Sequence, residues 1–263
     1  MKAIILAAGQ GTRLKKYTKD LPKGMLEFNS KTLIEWQIER YRECGINDII
    51  IIKGFCEEKI TYNGVKYFVN KNFLTTNMVE SLMTAKSEFD TDIIVSYSDL
   101  WFEKRILEKL VEASDDFVVS VDVDWQNYWK KRYGLVQYDL ESLKIEKANI
   151  VKLGESNPIF EDIDARYIGL LKISKKGLDI ICSIIDRDSK EYSDKPWKYS
   201  GNIISQAYMT DLFQAIVDEG YVVKAKKFKK GWLEFDTNKD YENICKWVKN
   251  GEIKELVDLD SLQ

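Results

Sequence analysis

Residues 3–13 read Ala-Ile-Ile-Leu-Ala-Ala-Gly-Gln-Gly-Thr-Arg, an apolar run that ends in two glycines and a cation. A short apolar run with no polar alternation predicts a strand covered on both faces, hence a parallel sheet flanked by helices. Gly9 and Gly11 predict a tight loop at the end of that strand. Its backbone N–H groups can approach an oxygen-rich ligand because neither residue carries a Cβ. Arg13 follows where the loop closes, and Lys23 stands just after Pro22, whose ring fixes the local backbone. A buried strand, a glycine loop and two cations suit a nucleoside triphosphate. Two familiar phosphate loops are excluded. The pattern G-x-x-x-x-G-K-[ST] has no counterpart here, and the dinucleotide pattern G-x-G-x-x-G fails at Leu14.

The chain beyond this loop alternates between the two periodicities. Lys31 to Cys44 carries Leu33, Ile34, Trp36, Ile38 and Tyr41 on a helical face, with Gly45 as the stop signal. Asp48–Lys53 and Val65–Val69 predict strands. Asn77–Glu88 predicts a helix with Asn77 near its N-cap, and Asp92–Tyr97 a further strand that ends at Ser98-Asp99. Such alternation predicts an α/β fold with a doubly wound, Rossmann-like, mostly parallel sheet. Ligands of such sheets gather at the C-terminal ends of the strands, where Gly9 and Asp99 both fall. After residue 115 the chain changes character. Phe117–Val123 is strand-like, and Asp124–Arg132 is aromatic and basic. Short strands are predicted around 134–138, 149–153 and 167–173, helices over 175–186 and 203–218, strands over 221–228 and 232–235, and a helical tail from Asn238. With only three prolines and no Gly/Ser linker, the expectation is one domain, 1–263. Its nucleotide-binding half is 1–115, and 116–263 forms an acceptor-binding half with a small lid.

Composition narrows the chemistry. A net charge of -3 argues against a strongly basic surface for nucleic acid. No apolar run approaches the ~20 residues of a spanning helix. The four cysteines, Cys44, Cys56, Cys182 and Cys245, are dispersed without a C-x-x-C pair, which fits reduced thiols and a cytoplasmic location. The chain contains no histidine, so Ser-His and Cys-His schemes and imidazole metal ligands fall away together. Any metal is expected to be a hard cation held by carboxylates and phosphates, with Mg²⁺ the first candidate.

The opening segment resembles the signature L-A-A-G-x-G-[ST]-R followed by P-K, found in nucleotidyltransferases that activate sugar phosphates and small phosphorylated alcohols. The resemblance implies a fold of the nucleotide-diphospho-sugar transferase type. It also implies nucleotide contacts from Leu6, Ala7, Ala8, Gly9, Gly11 and Thr12, and phosphate-stabilising roles for Arg13 and Lys23. In that family an Asp at the end of the fourth strand and the last Asp of a W-x-[DE]-[VIF]-D-[TS] segment bind the metal. Those positions are Asp99 and Asp236 here, with Glu234 and Asp240 as nearby rivals. Residues 70–82 (Asn70-Lys71-Asn72-Phe73 … Asn77 … Ser81-Leu82) are similar to the N-x-x-[FY]-x-x-x-N-x-x-x-S-L stretch of phosphocholine and 2-aminoethylphosphonate cytidylyltransferases. That likeness adds Asn72, Asn77 and Ser81 to the nucleotide contacts. It implies a Mg²⁺-dependent transfer from CTP to a small phosphorylated or phosphonylated acceptor (phosphocholine, 2-aminoethylphosphonate, hydroxyethylphosphonate or an amino-acid phosphate), without nucleic-acid or membrane partners. Oligomeric state is not legible.

The acceptor side has a weaker sequence signal. Trp125 and Trp129 are four apart and share a helical face, with Asp124 before them and Arg132 after. One expectation is an acceptor site from Asp124, Trp125, Trp129, Arg132 and Tyr167, with aromatic faces for an ammonium and Arg132 for the phosphate. The other is a helix that packs its tryptophans on the core. Two rival functions remain open on sequence: a sugar-1-phosphate nucleotidyltransferase using UTP or dTTP, and a non-catalytic nucleotide-binding module.

Overall fold

A computed structural model describes residues 1–262. All six residues of strand β1 (Lys2–Ala7) are buried. Ala3, Ile5 and Ala7 face one apolar cluster, Ile4 and Leu6 another, so the continuous run is covered on both faces. A glycine loop and short helix α1 (Lys15–Thr18) lead to the hairpin β2 (Glu27–Phe28) and β3 (Lys31–Thr32). Helix α2 (Leu33–Glu43) starts at a capping box. The Thr32 hydroxyl accepts from the Glu35 backbone N–H at 3.1 Å, and the Glu35 carboxylate accepts from the Thr32 N–H. Strands β4 (Ile49–Lys53) and β5 (Lys66–Val69) follow, then helix α3 (Met78–Met83) and strand β6 (Ile93–Tyr97). The short strand β7 (Leu100–Phe102) and helix α4 (Lys104–Val111) come next.

The second half holds β8 (Phe117–Asp122), α5 (Trp125–Tyr133), β9 (Glu141–Glu146), β10 (Asn149–Ser156) and β11 (Arg166–Ile173). Helices α6 (Lys175–Glu191) and α7 (Met209–Asp218), strands β12 (Val223–Phe228) and β13 (Trp232–Glu234), and helix α8 (Asn238–Lys249) complete it. Nine strands form one sheet in the order β5-β4-β1-β6-β11-β8-β12-β10-β9. β5, β4, β1 and β6 are mutually parallel. β11 runs against both of its neighbours, β6 and β8, so its first residues lie at the rim where the parallel strands end.

Two sequence expectations shift. The strand expected around 134–138 is instead a turn, because Gly134 caps α5 at φ 79° and Asp139 adopts φ 51°; the strand begins at Glu141. The helix expected from 203 begins at Met209, after a separate turn at Ile204–Gln206. Strand β7 and helix α4 lie in a stretch to which the sequence patterns assigned no element.

Candidate nucleotide site

The loop after β1 is fixed from three directions. Gly11 sits in the left-handed region at φ 61°, which a side chain adopts only under strain. Its carbonyl accepts from the Thr18 hydroxyl at 3.0 Å. A Cβ on Gly11 would lie 3.2 Å from the Lys23 Cβ, so loop and lysine are packed together. Lys23 opens a single turn after Pro22. Gly24 lets this turn press against its surroundings: a Cβ there would meet Ile34 at 2.7 Å and Ser98 at 2.8 Å.

The two aspartates arrive by a different route. Asp99 stands two residues beyond the end of β6. Asp236 lies 137 positions later, just beyond β13, yet β13 pairs antiparallel with β7, with Leu100 opposite Glu234. The Phe235 N–H donates to the Asp99 carbonyl at 3.0 Å and closes the ladder. A short two-stranded ribbon therefore sets both carboxylates beside the glycine loop. Between them stands the Lys23 ammonium, 2.8 Å from Asp236 Oδ1 and in contact with Asp99 Oδ2. Arg13 reaches Asp236 Oδ2 at 2.8 Å.

Burial pulls the Lys23 ammonium toward neutrality, but Asp99 and Asp236 outweigh it and hold its pKa above the ordinary value. Burial pushes the Asp236 carboxyl up; Lys23 and Arg13 pull it back only in part, and Glu234 adds to the rise. Asp99 Oδ1 is buried without a hydrogen-bond partner. An orphaned carboxylate oxygen beside a second carboxylate fits a hard cation. No group of three or more acidic, cysteine or histidine side chains could hold a metal among the described residues. A cation here would therefore complete its shell with ligand oxygens or water, as Mg²⁺ does with phosphates.

These groups line one wall of a cavity of about 240 Å³. Leu6, Ala8, Gly9, Gly11, Thr12, Arg13, Lys23, Asn77, Ser81, Asp99 and Asp236, all expected from the sequence, reach it. Ala7 does not: it is 3% exposed and faces the core. Asn72 does not line it either. It is exposed, and its backbone carbonyl, rather than its side chain, organises the loop by accepting from the N–H groups of Thr75 and Thr76. The buried polar anchor is Asn70, whose Nδ2 donates to Thr76 Oγ1 at 2.9 Å and Ser81 Oγ at 3.0 Å. Phe73, Thr76, Met78, Tyr97 and Ser98 also line the cavity. Sequence patterns named none of them as a contact, although Phe73 belongs to the N-x-x-[FY] stretch and Tyr97 and Ser98 occupy the strand-end position that marked Asp99.

The α5 residues need a larger correction. Trp125 and Trp129 are 1% and 0% exposed and pack into the core edge-on to each other. Arg132 is 2% exposed and does not line the cavity. Its Nε and Nη2 grip the two oxygens of Asp240 at 2.7 and 2.8 Å, and Nη1 donates to Glu234. Asp124 only starts the helix, accepting from Asn127 Nδ2 at 2.8 Å. These residues form a brace under β13, not a cage for a ligand. The brace also disposes of the rival carboxylates, since Asp240 is consumed by Arg132. Burial pushes the Glu234 carboxyl up, but Arg132, Arg166 and Lys23 outweigh it and hold it down at about 2. Tyr167 does not line the cavity; its hydroxyl lies 3.2 Å from that of Tyr97, which does.

With this geometry in place, the resemblance to known proteins is extensive. The MobA-like NTP transferase domain matches residues 3–144. The chain is 32% identical over 253 residues to the CTP:phosphoglutamine cytidylyltransferase of Campylobacter jejuni, across 92% of this chain and 98% of that one. It is 38% identical over 138 residues to the choline-phosphate cytidylyltransferase of Streptococcus pneumoniae, across 51% of this chain and 59% of that one. In three dimensions it matches the CTP:phosphocholine cytidylyltransferase from Streptococcus pneumoniae with a TM-score of 0.75 at 24% identity, covering 93% of this chain and 97% of that one. This last likeness is one of fold.

Proposed function

The chain belongs to the MobA-like NTP transferase family, and we propose that it is a Mg²⁺-dependent cytidylyltransferase that joins CTP to a small phosphorylated or phosphonylated acceptor. The observation that carries this reading is the Lys23 ammonium gripped by Asp99 and Asp236 at the foot of a glycine loop. Such an arrangement gathers phosphates together with the cation that accompanies them. The relatives' use of CTP with phosphorylated partners supports the choice of nucleotide.

The chemistry is an in-line displacement. An anionic oxygen of the acceptor's phosphate or phosphonate attacks the α-phosphorus of CTP. A new P–O bond forms, the bond between the α-phosphorus and the bridging oxygen breaks, and pyrophosphate leaves with the electron pair. The nucleophile is ionised near neutral pH, so no general base is required, in keeping with a chain that lacks histidine. What the protein must do is align two polyanions and offset their repulsion. The glycine loop leaves room for the triphosphate against its backbone. Arg13, 64% exposed, stands at the mouth, and the Lys23 ammonium lies between the two carboxylates. Asp99 and Asp236 would hold Mg²⁺, which supplies Lewis-acid charge neutralisation on the phosphates when bound. Each phosphate oxygen that Lys23 takes up loosens its hold on the two carboxylates, so nucleotide binding and release of the aspartates are coupled.

Preference for CTP is tested with four nucleoside triphosphates against a set of phosphorylated acceptors, read by pyrophosphate release. A site that accepts the cytosine amino group leaves the uracil O4 unpaired. CTP is expected to exceed UTP in kcat/KM by tenfold or more, on the order of the ~1.4 kcal/mol of one hydrogen bond. Equal efficiency would overturn the choice of CTP and promote a uridylyl or thymidylyl reading with sugar 1-phosphates.

A further inference from the structure

Beside the cavity lies a charged cluster that the nucleotide chemistry leaves unused. Arg166 opens β11, and its guanidinium sits 4.6 Å from the centre of the Trp129 ring, held as a plane by stacking. Its one charged partner within 4 Å among the described residues is Asp139, at a long 3.5 Å. Its Nη1 is buried with no acceptor. A guanidinium carries five N–H donors in a rigid fork, and a buried donor left unpaired costs free energy. The group is positioned, but its donors are not satisfied.

A complementary group lies nearby. Glu141 opens β9 and accepts one hydrogen bond, from Thr210 Oγ1 to Oε1 at 3.1 Å. No described residue donates to its Oε2. Burial pushes the Glu141 carboxyl up, and the charge of Arg166 pulls it back only in part, so the two are neighbours without forming an ion pair. Arg166 precedes Tyr167, whose hydroxyl lies 3.2 Å from that of Tyr97 on the cavity wall. Arg166 helps to hold Glu234 ionised, two residues before Asp236. The charge of Glu141 is felt at Tyr167 and at Tyr97, and Tyr97 lines the cavity.

From this juxtaposition the geometry points to an acceptor that carries an α-amino-acid head group, with Arg166 taking its carboxylate and Glu141 its ammonium. This rests on the cytidylyltransferase reading and names the acceptor class for it. A planar fork takes a carboxylate with two parallel bonds, and a carboxylate takes an ammonium N–H. A quaternary ammonium offers Glu141 no N–H and Arg166 no anion. An aminoalkyl phosphate satisfies Glu141 alone. A molecule that carries both charges satisfies the pair, with its phosphoryl end directed toward Arg13 and Lys23.

The test uses the full chain with CTP and two matched pairs of acceptors that differ only in the carboxylate. These are O-phospho-L-serine with O-phosphoethanolamine, and O-phospho-L-homoserine with 3-aminopropyl phosphate. In at least one pair the carboxylated member is expected to lead in kcat/KM by about tenfold to a hundredfold, the range of a charge-assisted hydrogen bond. Arg166→Leu is expected to erase that lead by lowering the carboxylated member alone, with the KM for CTP unchanged. Arg166→Lys restores part of it, which a loss of packing on Trp129 would not explain. Glu141→Gln is expected to raise the KM of all four acceptors alike. Equal use of both members of each pair, or a lead that survives Arg166→Leu, overturns the inference. Calorimetric titration with CTP separates the two readings. Binding of CTP with no turnover of any of the four acceptors overturns the acceptor class and leaves the nucleotide reading standing; failure to bind CTP removes both.

Discussion

Asp99 and Asp236 share one ammonium, and each keeps its other oxygen out of that contact. Oδ1 of Asp99 is buried without a partner, and Oδ2 of Asp236 faces Arg13. Asp99→Asn and Asp236→Asn are each expected to lower turnover by about a hundredfold or more, on the order of 3 kcal/mol in the barrier, with an unchanged circular dichroism spectrum. Near-normal turnover at saturating Mg²⁺ in either variant would remove that residue from the cation site. Arg132 belongs to a different class. Its removal leaves Asp240 and Glu234 facing each other across a buried space, so Arg132→Met is expected to cost about 3–5 kcal/mol in a denaturant titration. A variant as stable as the parent would show that the brace does not matter. The glycine-loop residues that line the cavity were legible through the resemblance of a contiguous strand and loop to a known signature. Arg132 was not, because its partners lie 102 and 108 positions away. The spacing of Trp125, Trp129 and Arg132 shows that they share a face, but not whether that face looks inward or outward.

The element that matters most to the site is the turn opened by Lys23. A methyl group at position 24 has no room between Ile34 and Ser98. Gly24→Ala is therefore expected to destabilise the fold by about 1–3 kcal/mol and to lower kcat by moving Lys23; thermal unfolding and steady-state kinetics on the same preparation check both. On the far side of the sheet, α6 ends at a buried carboxylate. Asp188 accepts from Trp197 Nε1 at 2.8 Å and from Arg187 Nε at 2.6 Å. Burial pushes this carboxyl up, but Arg187 and Trp197 outweigh it and set it below its ordinary 3.8. A depressed carboxylate stabilises the fold above its unfolded pKa, and that contribution is lost as pH falls through the folded one. Asp188→Asn should thus be less stable than the parent at neutral pH, with a gap that narrows below pH ~3.8; a constant gap in urea titrations across that range would contradict this. Most elements were legible from periodicity. The ribbon β7–β13 was not, since three apolar residues carry no period and their pairing joins Leu100–Phe102 to a segment in the last fifth of the chain.

At the scale of the molecule, the chain beyond α8 closes the fold over the ribbon. Ile253, Leu256, Val257 and Leu262 are buried in the same core as Trp232 and Phe235. The Leu256 carbonyl accepts from the Gly231 N–H at 2.7 Å, and Glu103 accepts from the Asp258 N–H at 2.7 Å. Each buried aliphatic side chain contributes about 1.5–3 kcal/mol, so deletion of residues 251–263 is expected to yield a protease-sensitive protein with little turnover. Full activity of the shortened chain would show that the ribbon holds Asp236 unaided. Parallel order in the first half was legible from its alternation; the reversal at β11 was not, because a buried strand reads the same in either direction. That reversal has a consequence for how such chains diversify. The glycine loop and Asp99 follow strands leaving the sheet, whereas Arg166 and Tyr167 open a strand entering it, fed by its own loop at 157–165. Mutations in that incoming loop can rework one half of the rim while the other half is inherited unaltered, so a lineage can exchange one cargo for another and keep its fuel.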